Sequence, residues 1–236
     1  MHTYTNLAWP DDPYRASQQL YPRPSPMLAA FAVLPAGQCP IVAPAAVAVA
    51  YLPLHRTRAI TVTEDTLAFG FRAASTAAAS SIPGLAGLAD LDLMLARRHA
   101  RFLAGYALPA GLRALRDAAP GLAGRGLAAV EAGAAGQPAR GMATVIDIGD
   151  GHHDLAVICR NAVITASPAS LASGVTPGSD PAGPAAAGRL AAAAAERALA
   201  IALASARRLG RYRWQNRLRT ARVLAAAAWD LFPLAS

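Results

Sequence analysis

The chain has 236 residues, of which 54% are hydrophobic and 6% aromatic, and carries a formal charge of +8. That length is enough to bury a sizeable core. All 22 basic residues are arginine, which excludes a P-loop lysine, a Schiff base and a pyridoxal-phosphate anchor. The basic excess suits an acidic partner, whether nucleic acid, anionic membrane or protein, and equally suits a plain solvated arginine surface.

Residues 1–25 are polar, aromatic and proline-rich and read as an N-terminal arm, without the charged start and apolar centre of a signal peptide. The apolar run from Met27 to Leu54 is interrupted by Pro35, Gln38, Pro40, Pro44 and Pro53. A membrane-spanning helix needs about 20 uninterrupted apolar residues, so the run is assigned to a core and no membrane span is expected. Within it, residues 28–34 read as a strand and 41–52 as a strand or a buried helix. Ala59–Val62 and Thr66–Phe71, joined by Thr63-Glu64-Asp65, predict a hairpin. Leu88–Tyr106 predicts a helix with a basic cluster at Arg97, Arg98, His99 and Arg101. Pro109 opens a second helix through Ala118, and Leu122–Glu131 forms a third. The breaker-rich stretch Gly133–Gly141 separates an N-terminal α/β region, 26–134, from a second region, 142–236.

The densest chemistry lies in residues 143–166. An apolar, β-branched run precedes Asp147, a second covers Leu155–Cys159, and a third follows Arg160-Asn161, which together predict a three-strand meander. A Gly149-Asp150-Gly151 turn would aim backbone N–H groups at an anion. Asp147 and Asp154, at the end of one strand and the start of the next, would reach a common metal ion. His152 and His153 are candidate ligands beside Asp147, because imidazole and carboxylate bind Zn²⁺ or Fe²⁺. The competing reading has both histidines facing solvent in a turn, since neighbouring strand residues point to opposite faces. Cys39 and Cys159 form no metal-spaced pair or disulfide framework, so a cytoplasmic setting is expected and Cys159 reads as a buried, inert thiol.

Ser167–Pro184 is a Pro/Gly/Ser-rich loop, and Ala185–Arg208 predicts a long alanine helix. From Arg211 to Phe232 a last helix is expected. Its apolar stripe runs through Trp214, Leu218, Ala221, Ala225, Trp229 and Phe232. Arg208, Arg211, Arg219 and Arg222 border one side of the stripe, Arg213 and Arg217 the other. Arg211, Trp214, Arg217, Arg219 and Arg222 are therefore candidate partner-binding residues. The alternative packs the stripe on the protein's own sheet and leaves the arginines to solubilise it.

The segment Asp147-Ile-Gly-Asp-Gly-His-His-Asp154, followed by Leu-Ala-Val, resembles the second phosphate motif of the actin-like ATPase superfamily. That superfamily includes heat-shock chaperones, sugar kinases and bacterial actin-like division and pilus-assembly proteins. The resemblance implies an α/β fold with a ribonuclease-H-like (actin-like) half, built from a three-strand meander followed by long helices, plus a smaller N-terminal α/β part. It implies ATP and Mg²⁺ as ligands, with Asp147 holding the metal through water and Gly149, Gly151 and Asp154 matching the phosphate turn. Asp150 replaces a glycine of the pattern, His152 and His153 replace small hydroxyl residues, and the superfamily's first phosphate motif and its adenosine motif are missing. The expectation is a degenerate actin-like scaffold or assembly subunit with weak or absent nucleotide binding, joined to a protein partner or to further copies of itself. The alternatives are an interaction module that binds an acidic partner through the basic C-terminal helix, and an active nucleotide-dependent phosphotransferase or ATPase.

Overall fold

The structure is a computed structural model that describes residues 1–7, 26–36, 43–76, 78–137, 141–149, 153–172, 184–228 and 231–232. It is mixed α/β. The strands are β1 His2–Thr5, β2 Met27–Ala36, β3 Ala43–Pro53, β4 Ile60–Thr61, β5 Gly70–Ser75, β6 Phe102–Gly105 and β7 Thr144–Asp147, then the two-residue β8 Ile164–Thr165, β9 Tyr212–Arg213 and β10 Leu218–Arg219. The helices are α1 Ile82–His99, α2 Leu108–Ala118, α3 Arg125–Ala134, α4 Leu155–Asn161, α5 Pro168–Leu171, α6 Pro184–Arg208 and α7 Thr220–Ala228.

One six-stranded sheet, ordered β1-β5-β3-β2-β6-β7, organises these elements. The strands β2, β3 and β5 form an antiparallel meander, β1 adds antiparallel to β5, and β6 and β7 extend the sheet parallel to β2. The sheet draws strands from the expected arm, from the 26–134 region and from the 142–236 region. The sheet's antiparallel meander is β2-β3-β5, and the three-strand meander expected over residues 143–166 is not formed there. Of that stretch only Thr144–Asp147 and Ile164–Thr165 are strands, and Leu155–Asn161 is helical.

The alternation along β2 and β3 explains why they sit centrally. Leu28, Ala30, Ala32 and Leu34 face one core, while Ala29 and Phe31 face the other. On β3, Ala46, Ala48 and Ala50 face the first core and Val47, Val49 and Tyr51 the second. A strand buried on both faces reads as a continuous apolar run, which is how Met27–Leu54 came to look like a membrane candidate. No helix among the described residues is long and apolar enough to cross a membrane.

The side lined by small residues receives α6. Its Ala191, Ala194, Ala195, Ala198 and Ala202 are fully buried, and methyl against methyl lets the helix approach the sheet closely. The Val/Tyr side receives α1, α2 and α3, whose Leu85, Leu93, Leu112, Leu115 and Leu127 supply the bulk that α6 lacks. Two elements of the 26–134 region differ from expectation. The helix foreseen over Leu88–Tyr106 ends at His99, and Phe102–Gly105 is a strand that pairs with both β2 and β7. The foreseen hairpin is absent, because Ile60–Thr61 pairs with Tyr212–Arg213 instead.

One ion pair is buried on the α1 side: Arg72 on β5 donates from Nη1 to Oδ1 of Asp92 at 2.9 Å, both side chains being over 90% inaccessible. Burial pushes the Asp92 carboxyl up to about 6, with Arg72 pulling the other way. Desolvation outweighing attraction marks a pair that fixes α1 on the sheet without adding much stability. Accordingly, Arg72→Leu alone is expected to cost about 3–5 kcal/mol in urea unfolding, by stranding Asp92. The double replacement Arg72→Leu/Asp92→Leu should recover most of that loss.

Candidate functional site at the carboxyl edge of the sheet

In parallel α/β sheets, ligands gather where the strands end. At that edge β6 closes on Gly105 opposite Asp147, the last residue of β7. The chain after β6 turns sharply into α2. Ala107 holds φ 50° and ψ 44°, a left-handed conformation uncommon for a residue with a side chain. Alanine cannot cap the helix that starts behind it. Asp147 caps it from the neighbouring strand: Oδ1 accepts from Ala107 N–H and Oδ2 from Leu108 N–H, both at 3.0 Å. Oδ1 also accepts from Gly149 N–H at 3.0 Å. Both carboxylate oxygens thus stabilise the positive end of α2. Gly149 is required by close packing, since a Cβ there would lie 2.9 Å from the Ala107 nitrogen.

The other residues singled out from sequence fall as follows. Asp154 is exposed and precedes α4, where its backbone carbonyl, not its side chain, accepts from Val157 and Ile158. His153 is exposed, and its carbonyl accepts the Tyr106 hydroxyl at 3.3 Å. Gly151 and His152, with Asp150, lie outside the described residues. Beyond Asp147 the chain enters a helix, so the strand-turn-strand setting that the phosphate motif implies does not follow it. Among the described residues no group of three or more His, Cys, Asp or Glu side chains is placed to hold a metal ion.

Beneath this edge α6 carries two adjacent buried charges, Glu196 and Arg197, 4% and 7% exposed. Glu196 accepts from Ser167 N–H at 2.8 Å, from the Ser167 hydroxyl, and from the Thr220 hydroxyl at 2.9 Å. Arg197 donates through Nη1 to the carbonyls of Ser170 and Ala172 at 2.9 and 3.0 Å, and its guanidinium carbon lies 5.5 Å from the centre of the Tyr106 ring. Desolvation lowers the Arg197 pKa. Cys159 lies next to this cluster, its thiol pushed up to about 11 by burial, so it is protonated and unreactive. Sequence reasoning passed over Glu196 and Arg197. The available signal was their isolation: they are the only charges between Leu190 and Arg207 in an alanine helix, and a charge in so apolar a run must find partners.

The basic C-terminal helix foreseen over Arg211–Phe232 is replaced by β9, β10 and the shorter α7. Gly210, at φ 65°, ends α6 and turns the chain. From there Tyr212 and Trp214 are buried and Arg213 is exposed, a period of two that the helical stripe overlaid. Trp214 donates its indole N–H to the Ala162 carbonyl at 3.1 Å, beneath the Arg207 guanidinium at 4.8 Å. Arg219 clamps Glu64 through Nε and Nη2 at 2.9 and 3.0 Å, and Arg222 adds a contact at 3.4 Å. Arg211 donates to the Arg56 carbonyl at 3.4 Å, and Arg217 is exposed. Trp214, Arg219 and Arg222 thus serve the fold's own contacts, while Arg213 and Arg217 face solvent.

Comparison with protein-family models, with curated proteins and with solved structures yields no match. The site must be read from its own geometry. The described buried charges here, Glu196 and Arg197, bond to backbone or hydroxyl groups. Asp147→Ala is expected to lower unfolding free energy by about 1–2 kcal/mol through loss of the α2 cap, as measured by urea denaturation. An unchanged midpoint would show that the carboxylate is not needed there.

Proposed function

We propose that the chain is a ribonuclease-H-like scaffold or assembly subunit that acts by binding a partner and does not hydrolyse nucleotide. The strand order supports the fold part of this reading. A meander, β2-β3-β5, is extended on the free side of β2 by two parallel strands, with α1–α3 on one face and α6 on the other. A meander followed by helices is what the resemblance to the actin-like superfamily implies.

The observation that carries the functional part is the occupation of Asp147. In the superfamily pattern this carboxylate serves Mg²⁺ and nucleotide. Here both of its oxygens hold the backbone of α2 and Gly149. A metal at this carboxylate would have to displace backbone donors at a helix start, leaving orphaned N–H groups that cost about 1–3 kcal/mol each where buried. The central strand offers no substitute, since Phe31–Ala36 contains no ionisable side chain. Metal-assisted phosphoryl chemistry draws on carboxylates that converge on the ions, and this edge of β2 supplies none.

Calorimetric titration of the purified protein with Mg-ATP tests the proposal. The expected result is heat no larger than dilution, with no phosphate release on prolonged incubation. Saturable micromolar binding that Asp147→Asn abolishes would overturn it in favour of a working nucleotide site.

A further inference from the structure

The end of the sheet opposite Asp147 carries a different chemistry. The register sets Met27 against Pro53, Leu28 against Phe102 and Phe102 against Thr144, so β2, β6 and β7 start, and β3 ends, along one edge. Exposed arginines collect there from separate parts of the chain. Arg98 closes α1, and Arg101 precedes β6, where its N–H donates to the Met27 carbonyl at 2.8 Å. Arg56 and Arg58 follow the end of β3. Arg213 joins them through β9, since its carbonyl accepts from Val62 at 3.0 Å and the neighbouring Tyr212 hydroxyl donates to the Pro53 carbonyl at 2.6 Å.

Little negative charge answers them. Of the described acids, Glu64 is already held by Arg219 and Arg222, Asp65 shares a cavity of about 540 Å³ with Arg217, Glu131 on α3 is paired with Arg116, and Asp117 stands in the last turn of α2. Asp147 and Asp154 belong to the far edge.

We propose that this arginine rim binds the phosphate backbone of a polynucleotide. The inference rests on the scaffold reading above and names its partner. Two observations favour nucleic acid over the other polyanions. The arginines stand on strand ends, loops and helix termini, not along one amphipathic helix whose apolar face could enter a membrane surface. Nucleic-acid interfaces are more polar and much more positively charged than protein–protein interfaces. The guanidinium fork also matches phosphate oxygens in pairs.

Fluorescence anisotropy of a labelled oligonucleotide, titrated with full-length protein across about 50–200 mM salt, provides the test. Arg56→Gln/Arg58→Gln/Arg213→Gln removes three rim charges. Arg113→Gln/Arg125→Gln/Arg189→Gln removes as many from exposed positions on α2, α3 and the first turns of α6. Wild type should bind at low salt. The rim variant should bind at least about tenfold more weakly, with its log K against log salt slope shallower by about 3. The control variant should stay within about twofold, and both should melt like wild type. No binding by wild type at low salt, or equal losses in the two variants, overturns the proposal. Either result leaves the absence of Mg-ATP binding, and so the scaffold reading, where calorimetry puts it. Binding of anionic vesicles in preference to the oligonucleotide would overturn it as well.

Discussion

The constraint on which much of this molecule depends is a thin, tight contact between α6 and the sheet, secured by two charges. An alanine helix buries little area per residue, so its burial term is modest at roughly 25 cal/mol per Å². Close approach compensates by bringing the helix onto β2, β3 and β5 along most of its length. Such a helix has no bulk with which to hold a second layer. Glu196 and Arg197 do that by hydrogen bonding. The carboxylate ties the start of α5 and the start of α7 to α6 through Ser167 and Thr220. The guanidinium ties the end of α5 through Ser170 and Ala172. A buried charge left alone would cost several kcal/mol, and these two are tolerable because each meets several partners.

The same logic holds at the strand ends. Asp147 secures a left-handed Ala107 and the first turn of α2, and Trp214 with Arg207 secures the Ala162 carbonyl at the end of α4. Polar groups that look like chemistry in the sequence are closing backbone valences in the fold. Exposed arginines from distant segments gather at the opposite pole, because β2, β6 and β7 begin there.

Much of the architecture was legible from sequence because periodicity records burial. The apolar run at 28–34 read as a strand, the run at 41–52 read as a strand or a buried helix, the proline-opened helix at 109–118 and the alanine helix at 185–208 all lie within a few residues of structural elements. Three failures have physical causes. Leu155–Asn161 is β-rich by composition yet helical, since packing against α6 overrode propensity. Phe102–Gly105 was absorbed into the preceding helix because a buried four-residue strand has no period of its own. Trp214–Phe232 satisfied a helical stripe, while the start of the foreseen helix, Tyr212–Trp214, alternates with period two. The site was less legible than the fold. Asp147 was found, but its role depends on Ala107, forty positions away in sequence and adjacent only through β6–β7 pairing.

The central claim is that the buried polar groups beneath the sheet edge are structural and act jointly. A double-mutant cycle on Glu196→Gln and Thr220→Val, followed by urea unfolding, addresses it most directly. The account predicts a coupling energy of about 1–2 kcal/mol, because each substitution removes one side of the same buried contact. Strictly additive losses would contradict it.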